Sequence, residues 1–472
     1  MTKVPKKTQR RTNENSDTIA AISTPRGAGG IHVIRISGPD SRSIADSVFR
    51  GRARLSDSST HRAHYGNIID PNTNETVDEA VATVMVAPDS YTCEDVVELS
   101  VHGSPYIARK VLELLISQDA RLAEPGEFTQ RAFLNGRLDL SQAEAVADLI
   151  ASRTEMSHRA ALDQLSGRLS DNVNTLRERL VEALSLLEAY IDFPEEDIED
   201  SHYGEIVAAV DAADSEIASL IDSYETGRIM RNGLTVPIIG PPNSGKSSLF
   251  NYLLKNERAI VTDLPGTTRD TISESIEIEG IAVELIDTAG IRESEDRVEI
   301  AGIERTKEQI DNADIVIAIV DATEPDSPRL MEDIVTLLDS KPTVRLFNKI
   351  DVMKDSDLGV LRSSTGQDSL FVSAVTGDGI NHLITAITDK GFPSDIGNTK
   401  DEVVVTSIRH RNALRAARED IEKTRLSIQV GLSHDLVAFE LRSAVSNLGE
   451  IVGQIAPDEL LNRIFDRFCI GK

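Results

Sequence analysis

A multidomain chain of mixed class is predicted: an α/β domain, with a parallel sheet and helices on both faces, inserted into an all-α helical domain and preceded by an α+β domain. Three observations carry this. Short apolar runs alternate with helical patterns through the middle third of the chain. A long leucine stripe at helical spacing precedes that region, and helical periodicity resumes after it. At 472 residues the length suits about three domains, each with a sizeable core.

Residues 1–16 carry Lys3, Lys6, Lys7, Arg10 and Arg11 with no apolar segment behind them, which predicts a disordered basic tail and no secretory signal. Residues 17–136 read as α+β. Ile31–Ile36 and Ala80–Val86 have strand character, Tyr106–Ser117 has helical spacing, and glycines punctuate the region. Residues 137–231 form the first helical half, where Leu162, Leu165, Leu169, Val173, Leu176, Leu180, Leu184 and Leu187 make one continuous stripe. The acidic run Glu195–Asp200 reads as a solvated turn. In residues 232–395 the runs Leu234–Ile239, Ala282–Ile286, Ile315–Val320, Val344–Phe347 and Leu370–Val372 suit a parallel sheet with crossover helices. Residues 396–472 are the second helical half.

The formal charge of -28 argues against coating nucleic acid through bulk electrostatics, so any RNA contact falls to local basic patches. No apolar run approaches the ~18 residues that span a bilayer. The two cysteines, Cys93 and Cys469, suit a reducing cytoplasm and exclude a disulfide scaffold or cysteine-rich zinc site. With no tryptophan and 4% aromatics, an aromatic stacking platform for single strands is disfavoured.

Four strings in the middle third address different parts of one ligand. Gly240-Pro241-Pro242-Asn243-Ser244-Gly245-Lys246-Ser247, followed by Ser248, lies between a strand and a helix. There its backbone N–H groups and helix amino end suit a β-phosphate. Lys246 suits the β- and γ-phosphates, and the Ser247 hydroxyl suits Mg²⁺. Asp287-Thr288-Ala289-Gly290 ends a strand: Asp287 can hold the magnesium shell and the Gly290 N–H can sense the γ-phosphate. Asn348-Lys349-Ile350-Asp351 selects guanine, because the Asp351 carboxylate accepts from ring and exocyclic N–H groups that adenine lacks. Ser373 and Ala374 supply backbone contacts to the base. The loop Thr262-Asp263-Leu264-Pro265-Gly266-Thr267-Thr268 offers Thr268 as a second magnesium hydroxyl. Its Thr262 and Leu264 carbonyls, with Asn243, could cage a monovalent cation; the alternative is a mobile switch segment without one. Ile291 follows Gly290, where Ras-like switches carry a glutamine, so hydrolysis must recruit another group.

These residues and their flanks resemble the MnmE or TrmE family of tRNA-modification GTPases from Asp17 to Lys472. The most specific strings are Asp17-Thr18-Ile19-Ala20, Arg35-Ile36-Ser37-Gly38, Pro125-Gly126-Glu127-Phe128, Arg131-Ala132-Phe133-Leu134-Asn135 and Phe468-Cys469-Ile470-Gly471-Lys472. The resemblance implies a P-loop G domain inserted into the helical domain. It also implies an amino-terminal domain that dimerises and binds 5-formyl- or methylene-tetrahydrofolate through Arg35, Glu98, Arg137 and Lys472. Position 137 is arginine where the family can carry lysine. For Arg35 and Glu98, read without the resemblance, an internal ion pair between strands is preferred. The resemblance further implies K⁺ at Asn243, Thr262, Leu264 and Thr267, Mg²⁺ at Ser247 and Thr268, and Glu299 as the acid that aligns water. Cys469, near the chain end, is then a candidate nucleophile or proton donor beside the folate; the bland alternative is a small buried hydrophobe.

The implied activity is a potassium-stimulated GTPase, in the cytoplasm and away from membranes. Working with an FAD-dependent partner, MnmG or GidA, in a heterotetramer or larger complex, it adds an aminomethyl-type or carboxymethylaminomethyl group to C5 of the wobble uridine of certain tRNAs. The alternative is a ribosome-assembly or signalling switch without that chemistry. Arg409, Arg411, Arg415 and Arg418, on one helical stretch, could touch tRNA backbone or pair with nearby acids.

Overall fold

The computed structural model describes residues 17–192, 200–260, 272–287, 309–338, 341–392, 402–455 and 457–472. The described residues divide into two compact units, one drawn from 17–147 with 452–472 and the other from 148–451; the basic tail expected over residues 1–16 lies outside the described residues.

The first unit is built on β1 (Ile19–Ile22), β2 (Ile31–Ser37), β3 (Phe49–Gly51), β4 (Arg62–Ile69), β5 (Thr76–Met85), β6 (Val96–His102) and β7 (Arg121–Leu122), in the order β3-β4-β5-β6-β2-β1-β7. Neighbours are antiparallel except β1 and β7. Period-two alternation decides what each face carries. Ile34 and Ile36 of β2 pack with Val97 and Leu99 of β6 against Ile44, Val48, Val111 and Leu115 of the helices Ser41–Val48 and Pro105–Ile116. Arg35 therefore falls on the opposite face, directly across from Glu98.

The chain end folds into this unit. The helix Asp458–Phe465 has an apolar face, and its Leu461, Ile464 and Phe465 cluster with Phe468, Leu140 and Ala143. Ile470 forms an antiparallel bridge to Pro125. Gly126 (φ +67°) leaves no room for a side chain, since a Cβ there would lie 2.7 Å from the Phe465 carbonyl.

In the second unit, β8 (Leu234–Ile239), β9 (Arg258–Ile260), β10 (Ile272–Ile278), β11 (Ile281–Asp287), β12 (Val316–Asp321), β13 (Thr343–Asn348) and β14 (Ser369–Phe371) form a sheet ordered β14-β13-β12-β8-β11-β10-β9. The first five in that order are parallel; β10 and β9 extend the edge antiparallel. Successive residues of β12 feed two cores: Ile317 and Ile319 join Leu249 and Leu383 on one face. Val316, Ala318 and Val320 join Met331 and Leu361 on the other. A strand covered on both faces must be apolar at every position, which is why it reads as an unbroken run.

The expected single leucine helix is two: Glu155–Leu165 and Arg168–Asp192. Gly167 between them is left-handed (φ +89°), which ends one helix and redirects the chain. Leu162 is consequently exposed, while Leu169 to Leu187 keep the buried stripe. The acidic run 195–199 lies outside the described residues. The chain enters the sheet at Gly233 and returns to the helices near Val405, whose N–H donates to Ser223 Oγ at 3.1 Å. The Thr406 hydroxyl donates to Gln164 Oε1 at 2.7 Å, and Arg418 pairs with Asp214 at 2.9 Å. The helices before and after the α/β region thus pack on each other, and that region is an insertion between them.

Candidate functional site

β8 runs into the loop 240–245 and then the helix Lys246–Asn256. Two glycines make the turn possible. A Cβ on Gly240 would collide with the Ile319 carbonyl, and one on Gly245 (φ +96°) with the Asn348 carboxamide. Asn243 is also left-handed, at φ +64°. Lys246 folds back so that its Nζ donates to the carbonyls of Gly240 (2.8 Å) and Pro241 (2.9 Å). Burial pushes its ammonium below the ordinary lysine value, against a smaller opposing pull from Asp287. A desolvated cation at a helix amino end is a strong attractor for an oxyanion. The Ser244 hydroxyl is buried with no hydrogen-bond partner among the described residues. Ser247 Oγ donates to Asp287 Oδ2 at 2.8 Å, and Ser248 follows it, exposed, on the same helix.

The far side of this pocket is tied to the near side by one buried side chain. Asn348 Nδ2 donates to the Ser244 carbonyl at 2.9 Å, and its Oδ1 accepts from the Ala374 N–H at 3.0 Å. Phosphate loop, selector string and the turn after β14 therefore move as one. Ser373 is buried, its Oγ accepting from the N–H groups of Val375 and Thr376. Lys349 is left-handed (φ +70°) and its Nζ lies 2.6 Å from Asp321 Oδ2. Asp351 is exposed on the 3-10 turn Ile350–Val352. Asn243–Ser248, Asp287, Asn348, Lys349, Asp351, Ser373 and Ala374 thus gather at the carboxyl ends of the parallel strands, where α/β sheets bind ligands. Thr262–Thr268, Thr288–Gly290 and Glu299 lie outside the described residues.

The first unit holds a separate open cleft of about 630 Å³, lined by Arg35, Glu98, Arg137, Tyr91, Cys93 and Asn135 among others. Arg35 pairs with Glu98 at 2.8 Å, so the inter-strand ion pair and the cleft wall are the same residues. The Tyr91 ring lies under both guanidiniums, 5.3 Å from Arg35 and 5.0 Å from Arg137. Its hydroxyl is 2.9 Å from Thr129 Oγ1, and Asn135 Nδ2 donates to the Thr92 carbonyl at 2.7 Å. Behind this wall Arg131 bonds to Glu94, Asp17 and Glu127. Lys472 and Cys469 are not among the residues lining the cleft. Gly471 packs on the end of β1, and Cys469 is exposed. The cysteine at the cleft is Cys93. Tyr91 escaped sequence reading because its partners Arg35, Arg137 and Thr129 come from distant segments, and Asn135, although it stands in one of the family strings, carried no assigned role there.

The helix Ile408–Val430 spends three of the four arginines named above on contacts within the protein. Arg409 donates to the carbonyls of Glu450 and Ile451, Arg411 stacks 4.2 Å over the Tyr224 ring, and Arg418 holds Asp214. Arg415 is exposed.

Residues 18–137 match the family described as GTP-binding protein TrmE N-terminus, and residues 140–469 match the MnmE helical domain. The chain is 43% identical over 457 residues to the tRNA modification GTPase MnmE of Natranaerobius thermophilus, covering 97% of this chain and 99% of that one. It is 44% identical over 456 residues to the protein of the same name from Geotalea uraniireducens, with the same coverage. A solved structure of Aquifex aeolicus Era bound to GDP.AlF4- aligns with 40% of this chain and 66% of that one, at 25% identity and a TM-score of 0.28. With two family domains that together span the chain and relatives matched over nearly their whole length, the protein belongs to the MnmE (TrmE) family of tRNA modification GTPases.

Proposed function

We propose that the chain hydrolyses GTP and, as a homodimer with an FAD-dependent partner of the MnmG type, uses that turnover to modify C5 of the wobble uridine in certain tRNAs. The observation that carries the GTPase half is the Asn348 bridge, which fuses a phosphate loop and a guanine-selecting string into one pocket. Membership of the family carries the tRNA half. Among the described residues no helix is long and apolar enough to cross a membrane; we take the site of action to be the cytoplasm.

The donor chemistry present fits the implied Mg²⁺. Ser247 Oγ and the Asp287 carboxylate are adjacent hard oxygens beside Lys246, the donor type Mg²⁺ prefers, and Thr268 is the proposed second hydroxyl. Magnesium so held would neutralise charge on the β- and γ-phosphates. Lys246 can trade its two loop carbonyls for phosphate oxygens. K⁺ stimulation is proposed through Asn243, exposed on the phosphate loop, with Thr262, Leu264 and Thr267. Glu299 is the proposed group that orients water.

The cleft of the first unit fits a folate. Glu98 offers an acceptor for amino and ring N–H groups, Arg137 a cation for a carboxylate tail, and Tyr91 a ring already flanked by cations. A tetrahydrofolate there would supply the one-carbon unit. Lys472 and the Cys469 thiol are proposed to complete the chemistry from the chain end. Nucleoside analysis of tRNA from cells lacking this chain, with and without complementation, tests the reading. Loss and recovery of the C5-substituted wobble uridine supports it, and an unchanged nucleoside profile refutes it.

A further inference from the structure

Asp321, the last residue of β12, pairs in register with Asn348 of β13. Both of its carboxylate oxygens are engaged. Oδ2 takes the Lys349 ammonium at 2.6 Å, and Oδ1 accepts from the Thr323 N–H at 2.9 Å and the Thr323 hydroxyl at 2.7 Å. The Ala322 N–H donates to the Asn348 carbonyl at 2.9 Å, locking the two strand ends together. The Asp321 side chain is 14% exposed. Burial pushes its carboxyl up, but the bonds from Lys349 and Thr323 outweigh that and hold it below the ordinary value. It is a fixed anion.

Lys349 is constrained at both ends. Its backbone adopts the left-handed conformation, uncommon without glycine, and its ammonium is held by that anion. A lysine stem has four rotatable carbons and is expensive to order. Ordering it before a ligand arrives leaves more of the contact energy to appear as affinity.

We infer that Asp321 is a positioning residue for guanine-nucleotide recognition, holding the Lys349 stem in place beside the selector string before nucleotide binds. The inference rests on the guanine-nucleotide reading above. Because Lys349 serves the base side of the pocket, losing the tether should weaken GDP and a non-hydrolysable GTP analogue equally. A residue acting on the γ-phosphate would discriminate between them.

The test uses the full chain and Asp321→Asn, which keeps an acceptor for Thr323 and removes the charge that holds Lys349. Dissociation of fluorescent GDP and of the GTP analogue is followed with KM, kcat and the thermal midpoint. The expected result is release of both about tenfold faster, a difference of about 1.4 kcal/mol, with KM raised to match and kcat unchanged. Asp321→Glu should recover part of the loss. Thr323→Val, which removes only the hydroxyl bond to Oδ1, should give a smaller effect in the same direction and serves if Asp321→Asn fails to fold. Equal release rates in variant and wild type would overturn the inference. So would a loss of kcat and thermal midpoint together, the mark of a structural role alone. Failure of the wild-type chain to bind guanine nucleotide would instead sink the reading of the pocket itself.

Discussion

Replacing Asn348 with alanine should damage stability and nucleotide binding together, by amounts that follow from its two hydrogen bonds. The side chain is 2% exposed, and it satisfies the Ser244 carbonyl and the Ala374 N–H. A buried backbone group left unmade costs about 1–3 kcal/mol. Two of them, partly relieved by water entering the space, should cost the α/β domain about 3 kcal/mol. Binding suffers separately. With the bridge gone, the phosphate loop and the turn after β14 must be ordered by the ligand, and fixing one residue's backbone costs about 1–2 kcal/mol. One residue released in each segment predicts affinity for GDP at least about 30-fold weaker, and about 150-fold at mid-range. Urea titration at constant m-value reads the first effect, and fluorescence titration with a GDP analogue reads the second. A variant with wild-type midpoint that binds GDP within threefold would refute the idea that one carboxamide couples the two halves.

Three further outcomes are expected. The Asp17–Arg121–Glu127–Arg131 network should make the first unit acid-labile. The Arg121 bond holds Asp17 below its ordinary 3.8; burial pushes Glu127 up, but Arg121, the Glu124 N–H and Arg131 hold it below 4.5. Both folded-state values are depressed, so this stability is complete above those ordinary values and lost as pH falls through the lower folded ones. Glu127→Gln should flatten that acid dependence in pH-resolved unfolding and cost about 3 kcal/mol near neutrality, the low end for a broken buried pair, because Arg131 keeps Glu94 and Asp17; a mutant with the wild-type acid profile would contradict this. GTP turnover should be at least tenfold faster in potassium than in sodium at matched ionic strength, if a cation acts where an arginine finger otherwise would; equal rates would remove the cation. Cys469→Ser should abolish tRNA modification with GTPase rate intact, and full modification by that variant would end the proposed role of the thiol.

The parallel strands could be read in the sequence because burial on both faces keeps them mainly apolar: β12 is unbroken from Val316 to Val320, and Glu284 in β11 and Arg345 in β13 are single interruptions. β9 and β10 could not. β9, the edge strand, is only three residues long, and β10 beside it, paired with both β9 and β11, breaks its apolar positions with Ser273, Glu274, Ser275 and Glu277. The leucine stripe was visible but its break was not, although Ser166-Gly167 carried the signal. The nucleotide site was legible because phosphate, metal and base each demand fixed residue types at fixed spacing. Asp321 was hidden, since Asp-Ala-Thr after a strand looks like an ordinary turn until Lys349 arrives from the next strand. The cleft was hidden for a similar reason. Arg35 and Arg137 meet only over the ring of Tyr91, and local pattern says nothing of contacts between distant segments. The docking of 452–472 against Pro125 and Gly126 is equally non-local, although both strings had been singled out separately.

Steady-state turnover of GTP against ATP by the purified full chain, in magnesium and potassium, probes the pocket most directly. Selection through Asp351 predicts kcat/KM for GTP at least about 10⁴-fold above that for ATP, because adenine lacks the paired ring and exocyclic N–H groups from which its carboxylate accepts. Comparable turnover of the two nucleotides, or of neither, would contradict it.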